Sequence, residues 1–100
     1  MTEWVEGDYP TELALNTLRG WHIRGHDDIV RALEFARSIW HWPEFATRDG
    51  DTWTFVTGGW PGNEDIIEAM ADNKVLDLAA WKLSEYGGRH VYQIKGDHDD

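Results

Sequence analysis

Apolar positions recur at helical spacing in three stretches of the chain and alternate with polar ones in others. The first stretch, Glu12-Leu13-Ala14-Leu15-Asn16-Thr17-Leu18-Arg19, places Leu15 and Leu18 on one face. Thr11 before it suits an N-cap, and Gly20 after it suits the position just past a helix end. The second covers residues 29–41, with Ile29, Leu33, Ala36 and Trp40 inward and Val30 beside them. Asp27 or Asp28 is its expected cap, Arg31, Glu34 and Arg37 fall on the wet side, and Pro43 ends the element. The third covers residues 64–71, with Asn63 as the expected cap, Ile66, Ile67 and Met70 inward, and Asp72-Asn73-Lys74 as the break.

Strands are expected over residues 44–48 and 51–57, joined at Asp49-Gly50-Asp51, where Asp-Gly is a hairpin signal. Trp53 and Phe55 then point one way and Thr52, Thr54 and Val56 the other. Residues 75–86 fit two patterns. A helix would use Leu76, Ala79, Ala80 and Leu83, and a strand would align Val75, Ala79, Trp81 and Leu83. We take a strand over 76–85, with Gly87-Gly88 as the turn into a last strand at 90–94. Residues 1–10 and 96–100 read as irregular, flexible ends of a single domain. The order α-α-β-β-α-β-β predicts an α+β two-layer sandwich. Two hairpins form a four-stranded, mainly antiparallel sheet, and two or three helices cover one face.

Composition narrows the partners. The chain has 100 residues, 41% of them hydrophobic, with seven tryptophans, no cysteine and a net charge of −10. A single core fits this length. The charge and the lack of any basic block exclude a nucleic-acid polymer as a direct partner and suit a basic protein surface. No segment is long and apolar enough for a membrane, and Met1-Thr2-Glu3-Trp4-Val5-Glu6 lacks the features of a secretory leader, so a cytoplasmic location is expected. Without cysteine there is no thiolate metal site or disulfide.

One stretch stands out as a candidate site: Thr57-Gly58-Gly59-Trp60-Pro61-Gly62-Asn63-Glu64-Asp65, between a strand and a helix. Glycines there permit a sharp turn or a close backbone approach. Gly58, Gly59, Trp60 and Asn63 are the expected ligand-binding residues, with Trp60 either a stacking platform or a plug in the core. Arg89, His90 and Tyr92 on the last strand are expected to line the same cleft, His90 and Tyr92 sharing one face and Arg89 taking the other. Glu64 and Asp65 count against an anion at this helix start, and the loop has neither a P-loop nor a dinucleotide fingerprint. His22, His26, Asp27 and Asp28 lack a metal-ligand spacing and suit helix capping better, so neither metal nor cofactor is expected. No nucleophile arrangement or paired-carboxylate constellation points to an enzyme. Trp40, His41, Trp42 and Phe45 form an aromatic cluster, expected either to cover the end of the sheet or to meet a partner.

Thr57–Glu64, Ile66-Ile67, Trp81, the run Gly87-Gly88-Arg89-His90-Val91-Tyr92 and the run from Asp27 to Ala36 together resemble a group of small uncharacterised bacteriophage proteins. The likeness spans most of residues 13–95, and its most specific part is the Gly-Gly-Trp loop. Pro61 and Tyr86 depart from the group's pattern. The resemblance carries no activity with it and implies action in the cytoplasm of an infected bacterium. The leading expectation is a non-enzymatic accessory protein that binds a compact ligand in the loop, with nucleotide-like molecules the first to test. The alternative is an acidic interaction module that binds a basic host protein as an inhibitor or DNA mimic. The sequence leaves the oligomeric state open.

Overall fold

The computed structural model describes residues 3–85 and 88–94. A four-stranded antiparallel sheet forms from β3 (Ala46–Asp49), β4 (Thr52–Val56), β5 (Trp81–Glu85) and β6 (Arg89–Gln93), in the order β3-β4-β6-β5. Four helices accompany it: α1 (Glu12–Arg19), α2 (His26–Ser38), α3 (Pro61–Asp72) and α4 (Lys74–Ala80). The α+β class is as expected.

The sheet register explains which face is covered. Trp53 lies opposite Tyr92 and Phe55 opposite His90, and residues directly opposite one another project to the same side. Trp53, Phe55 and Tyr92 are fully or almost fully buried and share one core with Leu18, Leu33, Ile66, Met70 and Leu76 from the helices. Thr52, Thr54 and Val56 project to the other face and are half-buried.

Several boundaries differ from the sequence reading, each for an identifiable reason. Residues 5–10 are not irregular: β1 (Val5–Glu6) and β2 (Tyr9–Pro10) form a small hairpin, held to the next helix by the Thr11 N–H donating to the Trp4 carbonyl at 3.0 Å. The second helix starts at His26, with Gly25 as its cap, so neither Asp27 nor Asp28 caps it. Asp28 instead reaches back to accept the Arg24 N–H at 2.9 Å and pairs with Arg31. That backbone hydrogen bond, opposed by burial and reinforced by Arg31 and the Arg24 charge, holds its carboxyl below the ordinary value. The helix ends at Ser38, because Trp40 turns its indole inward to donate to the Val56 carbonyl at 3.1 Å. Pro43–Phe45 form a tight 3₁₀ turn where a strand was expected to begin.

The largest correction lies at residues 76–80, which are helical rather than extended. Asn73 caps α4, its side-chain oxygen accepting the Leu76 N–H at 3.2 Å, while its amide donates to the Leu18 and Trp21 carbonyls at 2.9 and 3.0 Å. A residue that ties two elements together imposes a new helix start whatever pattern follows. The strand reading holds from Trp81 onward. Tyr86, Gly87 and the tail at 96–100 lie outside the described residues, while Gly88 takes the positive φ of 92° expected of a turn glycine.

Glu34 sits where helix and sheet meet. It accepts the Trp53 indole N–H at 2.8 Å and pairs with Arg37 at 3.2 Å and Arg48 at 3.4 Å. Burial pushes its carboxyl up, but the hydrogen bonds from Trp53 and Arg37 and the two arginine charges outweigh that, leaving it below its ordinary 4.5. A carboxyl lowered by folding stabilises above its unfolded pKa, and that contribution is lost as pH falls through the folded value. The melting temperature is therefore expected to fall below about pH 4.5, and Glu34→Gln to flatten that fall. Melts from pH 7 to pH 3 on both proteins test this; parallel curves would refute a role for Glu34.

Candidate functional site

The chain leaves β4 through a reverse turn. The Trp60 N–H donates to the Thr57 carbonyl at 3.0 Å, and the two residues between, Gly58 and Gly59, have φ of 62° and 77°. Positive φ at both central positions is the signature of a primed turn. Thr57 is buried, its N–H donates to the Gly88 carbonyl at 2.9 Å, and a Cβ on Gly88 would lie 2.3 Å from the Thr57 hydroxyl oxygen. The two glycine-bearing loops are thus packed directly on each other.

Gly58 and Gly59 differ in what surrounds them. A Cβ on Gly58 would come within 2.8 Å of the Trp42 ring, whereas one on Gly59 would meet nothing within 4 Å. Gly59→Ala is expected to cost about 1 kcal/mol through backbone strain alone. Gly58→Ala should cost roughly 2–3 kcal/mol, because the ring must also move. Chemical denaturation of the two variants measures the gap, and equal losses would show that Trp42 does not rest on Gly58.

Helix α3 begins earlier than its polar residues suggest. Trp60 is the N-cap and Pro61 takes the first helical position, where its missing N–H costs nothing. Asn63 is therefore inside the helix and does not cap it. Its side chain is 1% exposed and spans to the neighbouring loop. The His41 N–H donates to its oxygen at 2.9 Å, and its amide donates to the carbonyls of His41 at 3.0 Å and Thr57 at 3.4 Å. Asn63 clamps loop 39–45 against loop 57–60, and both ends of its amide are occupied.

The clamp brings five rings into one surface strip. Tyr9 lies 5.0 Å from Trp60, and His41 stacks on Trp60 at 4.8 Å with 28° between planes. His41 contacts Trp42 at 4.5 Å, and Trp42 contacts Phe45 at 5.8 Å. The Trp60 indole N–H donates to the Asp8 carbonyl at 3.2 Å, fastening the β1–β2 hairpin to the loop. The strip remains partly open, Tyr9 at 47% and Phe45 at 39% exposure, with Trp60, His41 and Trp42 half-buried. Trp42 is held at φ 66°, the one non-glycine residue with positive φ among those described. Such strain persists only where surrounding contacts enforce it.

Beside the strip, a cleft of about 440 Å³ opens between Thr57 and Pro61 on one side and Gly88 and His90 on the other, with Glu64, Asp65 and Glu68 along its wall. The His90 Nδ1 lies 2.6 Å from the Ser84 hydroxyl. Burial lowers its pKa, with the Glu64 charge opposing. Arg89 projects from the opposite face of β6 and pairs with Glu85 at 2.8 Å. Tyr92 is buried in the core against Phe55, and burial, with Asp77 adding to it, pushes its hydroxyl pKa well up.

Gly58, Gly59, Trp60 and Asn63 thus gather around one loop, and His90 lies at the adjoining cleft. Arg89 and Tyr92 belong to neither. Of the sequence's aromatic cluster, Trp40 turns into the core and the other three join Trp60. Tyr9 completes the strip with no sequence signal beyond its ring. Among the described residues no group of three His, Asp or Glu side chains gathers to hold a metal, and no helix is long and apolar enough to cross a membrane. The chain matches no known protein family, curated protein or solved structure.

Proposed function

We propose that the protein is a non-enzymatic accessory module that acts by binding another protein through the strip from Tyr9 across Trp60, His41 and Trp42 to Phe45. The observation that carries this reading is the continuity of the strip: three separate segments contribute rings that contact one another and stay partly exposed. Aromatic side chains dominate binding energy at protein interfaces, because they bury a large area for little conformational entropy. The strained backbone of Trp42 supports the same reading, since strain concentrates at functional sites. The phage resemblance would place the partner in the cytoplasm of an infected bacterium.

A compact ligand in the adjoining cleft is the second reading, supported by a volume in the range of small-molecule pockets. Its chemistry would favour a neutral or cationic molecule over a nucleotide. Glu64, Asp65 and Glu68 face it, and Arg89, the cation expected to line it, is engaged with Glu85 instead.

The double variant Tyr9→Ala, Phe45→Ala tests the first reading. Both side chains are exposed, so its melting temperature should stay close to that of the parent. Proteins captured from bacterial lysate by the parent should be lost by the variant. An identical captured set would remove the strip from the function.

A further inference from the structure

We infer that the strip recognises arginine side chains presented by its protein partner; this rests on the reading of the strip as an interaction surface. The argument comes from how charge is divided over the fold. The segments that build the strip, residues 3–10, 39–46 and 57–65, contain Glu3, Glu6, Asp8, Glu44, Glu64 and Asp65 and not one lysine or arginine. All six carboxylate side chains are exposed, and none makes an ion pair among the described residues. Elsewhere arginines are present, and each is paired. Arg19 pairs with Asp72, Arg24 and Arg31 with Asp28, Arg37 and Arg48 with Glu34, and Arg89 with Glu85. The six arginines are thus paired away from the strip, while the six carboxylates on its segments make no ion pair among the described residues. Asp8 precedes Tyr9, Glu44 lies between Trp42 and Phe45, and Glu64 is one helical turn beyond Trp60.

The fold holds a working example of the contact. The Arg48 guanidinium lies 4.4 Å over the Trp53 ring while pairing with Glu34, which also accepts the Trp53 indole N–H. A ring face with a carboxylate beside it therefore already holds an arginine in this molecule. A guanidinium is planar and weakly hydrated, so it stacks on a ring and keeps its edge for a carboxylate. A lysine ammonium does this less well. A second copy of the chain would bring six more carboxylates to the same face, and a nucleic acid would bring phosphates, so both meet repulsion.

The test uses the whole chain and three synthetic peptides, alternating glycine with arginine, with lysine or with serine. Binding is followed through tryptophan fluorescence and the indole resonances in NMR. The arginine peptide should bind roughly three- to five-fold more tightly than the lysine peptide, the range of an exposed cation–π contact, and the serine peptide should not bind. Indole shifts should centre on Trp42 and Trp60. Asp8→Asn with Glu44→Gln removes two exposed charges without touching the core, and should weaken the arginine peptide several-fold at an unchanged melting temperature. Equal binding of arginine and lysine peptides, or an unaltered affinity in the double charge variant, would overturn the inference and leave only the general attraction of an acidic chain. If the lysate capture still depends on Tyr9 and Phe45 in that case, the strip stands as an interface and the arginine assignment alone falls. Loss of both removes the strip.

Discussion

Asn63→Ala is expected to lower stability by about 3 kcal/mol and to loosen the aromatic strip in the same step. The substitution removes one acceptor and two donated hydrogen bonds from a buried position. It leaves the His41 N–H and carbonyl to find other partners, while the Thr57 carbonyl keeps the Trp60 N–H. Each orphaned buried group costs roughly 1–3 kcal/mol, and the loss of packing volume is small beside that. In a domain of this length the melting temperature should fall by more than about 10 °C. The second effect is local. Without the clamp the His41 backbone loses its hydrogen bonds to loop 57–60 and only ring contacts remain, so its ring should loosen from the Trp60 face. Thermal melting gives the first effect, and the Trp60 indole resonance in NMR gives the second. A melt within a few degrees of the parent would mean that the clamp bears little weight.

The same residue shows where the sequence could be read and where it could not. Asn before an apolar helical run is a cap on local grounds, and that logic holds for Thr11, whose side chain accepts the Ala14 N–H at 3.2 Å. At Asn63 it fails because Pro61 starts the helix two residues earlier. The amide is then free for a contact 22 positions back in the chain, which no local pattern encodes. Asn73 is the opposite case. It was legible as a break, but its bonds to Leu18 and Trp21 make it a new helix start as well. In α4 only Leu76 and Ala80 are buried, while Val75 and Leu78 are exposed, so the helical period was too weak to prevail over the strand reading.

The β3–β4 hairpin was plain because its signals are local: Asp-Gly at the turn and strict alternation along Thr52–Val56. Gly58 and Gly59 were plain for a similar reason, since the shortness of the connection demanded positive φ. The strip itself was half visible. His41, Trp42 and Phe45 could be grouped by proximity in sequence and Trp60 singled out by its loop, but joining them required the tertiary clamp. Tyr9 stayed hidden because a pair of two-residue strands leaves no periodicity to detect.

Trp53→Ala is expected to be the most damaging single change, costing on the order of 3–5 kcal/mol, which leaves a marginal domain largely unfolded at physiological temperature. The ring is completely buried at the centre of the sheet, opposite Tyr92 on one side and Arg48 on the other. Its removal opens a cavity and also strips Glu34 of its indole donor and Arg48 of the ring beneath it. Trp53→Phe separates these contributions. Phenylalanine keeps most of the packing and a ring for Arg48 but cannot donate to Glu34, so a loss of roughly 1–2 kcal/mol is expected. Arg48→Lys, made in both the parent and a Trp53→Leu background that keeps the site apolar and filled, measures by a double-mutant cycle how far the guanidinium–ring contact outweighs an ammonium–ring one. A coupling of about 0.5–1 kcal/mol would match a cation–π pair whose guanidinium stays in solvent. It would also set the scale for the arginine preference proposed at the strip. A coupling of zero, or a Trp53→Ala protein that melts within a few degrees of the parent, would show that the core does not depend on this ring as its burial implies.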